Sequence, residues 1–147
     1  MLTAHLRFWA HALGDLLPGA STTVSYTVFG FPPLAERIRD TVLPALEPLP
    51  ENVTVEEDPR RDRARGYYER GAIRIGAGSA AEIGDGGFTD WTARLLNNAK
   101  ERCLISCLAT ERLAAERLAA ERLATEQLTA GQLVTGRRAA QDAEVTR

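Results

Sequence analysis

The strand pairing of this chain is predicted from the sequence GYYERGAIRIGAGSAAEIGDGGFTDW, residues 66–91. Its first part, 66–75, is rich in aromatic and β-branched residues and is bounded by glycine, which predicts a strand. Residues 76–81 predict a hairpin connection, and another strand begins at 82–84. Because the connection is short, the two strands are expected to run antiparallel.

The run Gly84-Asp85-Gly86-Gly87 predicts a tight bend between this strand and a helix over 89–98. Thr89 or Asp90 would cap that helix. Glycines let the backbone approach a ligand closely, and a helix N-terminus favours an anion. The run matches neither the dinucleotide-binding fingerprint nor the P-loop. A plain strand-to-helix turn is the alternative to a ligand site.

The segments outside this stretch alternate between helical and extended patterns. Before this stretch, the patterns predict helices over 2–17 and 33–47 and strands over 22–30 and 53–57. After it, the apolar residues 102–108 predict a strand buried on both faces, and a long helix begins near Thr110. The order predicts an α+β fold, with a largely antiparallel sheet flanked by helices and a long C-terminal helix.

Composition restricts the class of protein. The chain has 147 residues, of which 44% are hydrophobic and 26% charged, and its net charge is −2. These values predict one globular domain without the global positive field of a nucleic-acid binder. The apolar runs are too short to span a bilayer, and the N-terminus lacks the pattern of a signal peptide. A cytoplasmic location and no membrane partner are therefore expected.

The C-terminal segment repeats every five residues from Ala109: ATERL, AAERL, AAERL, ATEQL, TAGQL and VTGRR. A β-helical repeat would bury four glutamates without partners, so a helix is predicted instead. Successive leucines rotate by about 140° on a helix and form no continuous stripe. The first two or three turns are expected to pack. The domain then spans 1–130, and 131–147 form a disordered tail. The repeats are either copies without a function or a partner-binding helix.

Residues 58–65, DPRRDRAR, form a charged turn in which four arginines are offset by Asp58, Asp62 and the preceding glutamates Glu56 and Glu57. Counted together with Glu56 and Glu57, the net charge of this segment is near zero. Two interpretations stay open, a solvated turn and a phosphate or RNA contact.

No metal site is predicted. Cys103 and Cys107 would lie on one side of a strand about 13 Å apart, too far for a disulfide bond, and are expected to be reduced core residues. His5 and His11 lie on different faces of a helix and cannot hold one ion together. Nothing else completes a zinc ligand set.

Tyr67 and Tyr68 are adjacent on the predicted strand and would point to opposite faces. One would face the core or a pocket, where its hydroxyl could orient a polar ligand. The alternative is that both tyrosines serve packing alone.

Three motifs in order, GYYERGAIRI, EIGDGGFTDW and CLISCLATERL, resemble the later part of the class II aminoacyl-tRNA synthetase catalytic domain. The histidyl type and its paralogues are closest. That family has a double tyrosine on a strand, a glycine-rich G-G-G-R-Y-D bend and a strand–helix motif ending in G-x-E-R-L. LAERIRDTVLPALEP and NVTVEEDP lie where the family has a helix and a strand. The resemblance covers residues 34–113.

The resemblance implies a site for an amino acid or its adenylate, with ATP as a cofactor. Arg112 corresponds to the arginine that contacts ATP phosphates, a role that suits a planar guanidinium. It would be the catalytic residue. The ligand-binding positions implied by the family motifs are Tyr67, Tyr68, Asp85, Gly86, Gly87 and Asp90.

The family's first two motifs, which supply the dimer interface and the α-phosphate arginine, are not visible in this sequence. We therefore expect a class II synthetase-like partial domain that binds its ligand but does not complete catalysis alone. If active, it would be an ATP-dependent amino-acid-activating ligase. A second copy or a partner chain would supply the missing half, and tRNA binding stays open. The alternatives are a non-catalytic dimerisation or interaction module and an unrelated α+β binding protein.

Overall fold

The structure is a computed structural model. It describes residues 1–78 and 82–129 in full. The last helix is assigned as Thr110–Val145, and the predicted disordered tail over 131–147 lies outside the described residues. The same holds for residues 79 and 80 of the predicted hairpin connection.

The part of the chain that the structure describes contains four helices and five strands. The helices are α1 (Leu2–Leu16), α2 (Pro32–Arg37), α3 (Trp91–Leu95) and α4 (Thr110–Val145). The strands are β1 (Thr22–Val28), β2 (Val53–Glu57), β3 (Gly71–Ala77), β4 (Ala81–Thr89) and β5 (Cys103–Leu108). After α2 the chain continues as a π turn, Ile38–Val42, and a 3-10 turn, Pro44–Leu46.

The strands form one sheet in the order β2-β1-β3-β4-β5. β1 and β2 are parallel and are connected through α2, whereas the three other pairs are antiparallel. The predicted α+β fold with a largely antiparallel sheet is therefore confirmed.

One face of the sheet carries the hydrophobic core. α1 packs on this face and buries one side at helical spacing, through Leu6, Ala10 and Leu13. Complete burial of one leucine side chain contributes roughly 1.5–3 kcal/mol. The largest fully buried apolar side chains are Leu6, Leu13, Leu17, Leu46, Val24, Ile75 and Ile83.

The strand predicted over 66–75 begins only at Gly71. Residues 66–70 form turns, because the backbone at Ala64 and Gly66 adopts positive φ angles of 71° and 97°. The backbone amides of Tyr67 and Tyr68 both donate to the Ala64 carbonyl. The two tyrosines therefore lie on a turn and not on a strand.

The predicted bend at Gly84-Asp85-Gly86-Gly87 is wrong, because these residues lie inside β4 and pair with β3 and β5. The missing side chains allow close approach of β5. A Cβ atom at Gly86 would lie 2.5 Å from the Ile105 carbonyl oxygen. The following helix is also shorter than predicted, since α3 spans only Trp91–Leu95.

The prediction that β5 is buried on both faces is wrong, because none of its residues is fully buried. β5 is an edge strand of the sheet. Its residues are mostly half-buried. Cys103 and Cys107 are free, as expected, but Cys107 is exposed and does not belong to the core.

The C-terminal helix α4 begins at Thr110, as predicted. Leu113 packs against the core, whereas the next repeat leucines, Leu118, Leu123 and Leu128, are exposed. This pattern follows from the five-residue period, which turns each leucine away from the previous one. In the part of the chain that the structure describes, no helix is long and apolar enough to cross a membrane.

Candidate functional site

A row of polar residues crosses the face of the sheet opposite α1, which we call the outer face. Strand register places Ser25 beside Arg74, Arg74 beside Asp85, and Asp85 beside Cys107. Residues directly opposite each other on antiparallel strands share a face, so the four side chains are neighbours across four strands. We call these four residues the polar row.

An arginine from the charged turn lies over this face. Arg61 forms an ion pair with Glu82 at 3.3 Å, and Glu82 also pairs with Arg74 at 3.4 Å. The Arg61 side chain is only 6% exposed. Its Nε and NH1 atoms are buried and have no hydrogen-bond partner among the described residues. A buried charged donor without an acceptor is costly, and an anionic ligand would supply the acceptor.

These residues line a cavity of about 570 Å³. Four arginines and three carboxylates form its wall, which leaves a local net charge of +1. The wall therefore offers donors for an anion and acceptors for a cation within one space. The lining residues are Asp58, Arg60, Arg61, Asp62, Arg63, Arg74 and Glu82.

Tyr68 is buried against the same face, and its ring lies directly over Gly87. Burial raises the pKa of the Tyr68 phenol, and the charge of Asp85 and a hydrogen bond with that carboxylate raise it further. The phenol therefore stays protonated at neutral pH and remains a hydrogen-bond donor. Tyr67 is exposed, and its ring contacts Tyr68 and Trp91 edge to face.

Cys107 lies on the other side of Asp85, and its thiol donates to the Asp85 Oδ1 atom at 3.4 Å. Burial raises the pKa of this thiol, with further contributions from the hydrogen bond and charge of Asp85. Asp85 is therefore flanked by two groups that are held in their neutral, donating forms. This arrangement favours positioning of a polar ligand over nucleophilic attack by the thiol, because the thiolate is the reactive form.

The structure brings together three of the predicted site residues, Tyr68, Asp85 and Gly87. Gly86 faces the other way, toward Ser106 on the α1 side of the sheet. Asp90 forms an ion pair with Arg94 at 2.9 Å.

Arg112, the predicted catalytic residue, donates to the backbone carbonyl of Glu82 at 2.8 Å. It therefore lies next to a cavity residue but does not line the cavity itself. Of the tyrosine pair, one side chain is buried and the other exposed, as predicted, although both lie on a turn.

Sequence reasoning missed the central residues Arg61, Arg74 and Glu82. Two signals pointed toward them. The turn DPRRDRAR left a phosphate contact open as an interpretation, and Arg74 stands between two isoleucines on an alternating strand, which places it on the polar face. The contact between Arg61 and Glu82 joins residues far apart in sequence, so no local pattern reveals it.

No protein-family model, curated protein or solved structure matches this chain. The resemblance to the class II synthetases therefore stays a prediction from the sequence motifs.

Proposed function

We propose that this domain binds a small zwitterionic ligand, an amino acid or its adenylate, in the cavity on the outer face of the sheet. The observation that carries the proposal is the buried guanidinium of Arg61, whose Nε and NH1 atoms have no partner among the described residues. The ligand's carboxylate or phosphate would accept from these atoms. Charge-assisted bonds of this kind are among the strongest polar contacts in proteins.

The mixed charge of the cavity supports a zwitterion over a simple anion. Asp58, Asp62 and Glu82 offer acceptors for an ammonium group beside the arginines. The volume of about 570 Å³ lies in the range of roughly 300–1,000 Å³ that is usual for small-molecule sites. Tyr68 and Asp85 extend the polar surface along β4.

The cavity fits an adenylate better than it fits ATP. A single phosphate matches the unpaired N–H groups of Arg61, and a guanidinium suits it geometrically. A triphosphate carries several negative charges, which the three carboxylates of the wall would repel. When bound, ATP would supply the adenylyl group, and pyrophosphate would be the leaving group. This chain's part is to hold the anionic end at Arg61.

We further propose that this chain does not complete amino-acid activation alone. Phosphoryl transfer depends on positively charged groups around the transferring phosphorus. Arg112 already donates a hydrogen bond to the Glu82 carbonyl. The sequence carries no counterpart of the family's α-phosphate arginine. A partner chain of different sequence would supply that arginine.

A non-catalytic interaction module is the second candidate, and the open edge of β5 favours it. β5 is the last strand of the sheet, and exposed apolar side chains lie on neighbouring elements, namely Phe8, Trp91 and Leu95. An unpaired strand edge pairs readily with another chain. Light scattering separates the candidates, since a clean monomer counts against this second one.

Amino-acid-dependent exchange between ATP and pyrophosphate tests the catalytic part of the proposal, with each standard amino acid in turn. We expect no exchange from this chain alone, together with saturable binding of one aminoacyl adenylate analogue. Arg61→Gln should weaken that binding by at least about tenfold. Arg122→Gln, on the exposed part of α4, is the matched control. Robust exchange by the isolated chain would refute the claim of incompleteness.

A further inference from the structure

A second cavity lies at the end of the sheet where β1 ends and where β3 and β5 begin. Its volume is about 350 Å³. The lining consists of four apolar residues, Phe31, Pro33, Leu34 and Phe88, and three arginines, Arg37, Arg70 and Arg102. We call it the Phe–Arg groove. It shares no lining residue with the cavity of the outer face.

The charge of the Phe–Arg groove is uncompensated. No carboxylate lines it, and within residues 1–78 and 82–129 none of its three arginines forms an ion pair. Three positive charges beside an open cavity create a local field that attracts anions, although the chain as a whole carries a net charge of −2.

Contacts with the protein hold two of the arginines in place. The Arg70 guanidinium lies over the Phe31 ring, 4.7 Å from its centroid. Arg102 donates through NH1 to the backbone carbonyls of Ala99 and Glu101, both at 2.6 Å. These contacts fix the positive groups before a ligand arrives, which lowers the entropic cost of binding.

The apolar part of the groove continues into the protein. Leu34 and Phe88 also line two adjoining cavities, one of them against Leu2, Ile73 and Leu104 of the core side. A flat apolar body placed on Phe88 and Leu34 would therefore remove apolar surface from water. Its anionic group would meet Arg37 or Arg70 at the exposed rim.

We propose that the Phe–Arg groove is a binding site for a small amphipathic anion, an aromatic ring system that carries one carboxylate, sulfonate or phosphate. The volume suits a small molecule. The arginines select for the negative charge, and the phenylalanines select for the flat body. The site is separate from the amino-acid cavity, so either proposal can fail without the other.

The test uses the full chain and two fluorescent probes that share an aromatic body. Anilinonaphthalene sulfonate carries the anion, and phenylnaphthylamine lacks it. We expect the sulfonate to bind at one saturable site and more tightly than the neutral probe. Arg37→Glu and Arg70→Glu should each weaken sulfonate binding by about tenfold or more, because each removes a charge-assisted contact and adds repulsion.

The matched control is Arg122→Glu, which makes the same charge change on exposed α4 and should leave sulfonate binding unchanged. Circular dichroism checks that each variant is folded, and Arg70→Gln serves if the glutamate variant is not. The proposal is overturned if the sulfonate does not bind. It is also overturned if the neutral probe binds as tightly, or if the groove variants bind like the control.

Discussion

Asp85 and Cys107 lie directly opposite each other on β4 and β5, and the thiol donates to the carboxylate at 3.4 Å. Burial is the main cause of the raised pKa of Cys107, and Asp85 adds to it. Asp85 thereby adds to the tendency of this exposed thiol to stay protonated, which is its unreactive form.

Asp85→Asn should lower the pKa of Cys107 only partly, because burial remains. Alkylation by iodoacetamide, followed against pH in a Cys103→Ser background, should then reach its half-maximal rate at a lower pH. The reason is that the thiolate is the attacking form. Ser25→Ala, elsewhere in the polar row, is the control. An unchanged pH profile in Asp85→Asn would contradict this assignment.

The ring of Tyr68 packs directly over Gly87. A Cβ atom at this position would lie 2.5 Å from the Tyr68 Cγ atom and 2.6 Å from the Gly71 carbonyl oxygen. Gly87→Ala should therefore lower the free energy of unfolding by about 1–3 kcal/mol, measured with urea. Tyr68→Leu should relieve part of that cost in the double variant. Equal urea midpoints for Gly87→Ala and the parent would show that the ring does not rest there.

Ala64 adopts a φ of 71°, which costs a residue with a Cβ atom about 1–2 kcal/mol. Ala64→Gly should raise the free energy of unfolding by roughly 0.5–1 kcal/mol, after the entropic cost of glycine is included. Ala114→Gly, on exposed α4, should instead lower it by up to about 1 kcal/mol. The prediction fails if the two substitutions change stability in the same direction.

His5 links α1 to the edge strand. Its Nε2 atom lies 2.9 Å from the Ser106 hydroxyl, which accepts from the Trp9 indole at 2.7 Å. Burial lowers the pKa of His5, so the folded protein favours the neutral ring. The unfolded chain then binds the proton more readily than the folded chain. Stability from this source is present above about pH 6.5 and is lost as the pH falls toward the lower folded pKa.

Urea unfolding at about pH 7.5 and about pH 5.5 measures this loss. His5→Gln should reduce the difference between the two conditions. His11→Gln, at an exposed position of the same helix, should retain it. An equal pH dependence in the parent and in His5→Gln would contradict the link.

Local patterns predicted the elements whose residues alternate with a clear period. α1 and β2 are correct almost to the residue, because the leucines of α1 and the residues VTVEE carry the helical and strand periods. The largely antiparallel sheet followed from the short connection between β3 and β4. The exposed leucines of α4 followed from the five-residue repeat.

Contacts between residues far apart in the sequence determine the features that local patterns did not predict. The glycine-rich run in β4 is typical of a bend, yet pairing with two neighbouring strands keeps its backbone extended at Gly84, Gly86 and Gly87. The turn before β3 depends on a left-handed alanine, which sequence statistics do not favour. The burial of Arg61 depends on Glu82, a contact between distant residues. For the same reason the candidate site was predicted only in part, through Tyr68, Asp85 and Gly87.

The proposed function depends on Arg61, which would bind the anionic end of a zwitterionic ligand. Isothermal titration calorimetry tests this binding in the parent, in Arg61→Gln and in Arg122→Gln. The ligands are a panel of aminoacyl sulfamoyl adenosines, which mimic the adenylate. We predict that one or a few analogues bind the parent and Arg122→Gln equally, and that Arg61→Gln binds at least about tenfold more weakly. Binding that is unchanged in Arg61→Gln, or no binding of any analogue to the parent, would contradict the claim.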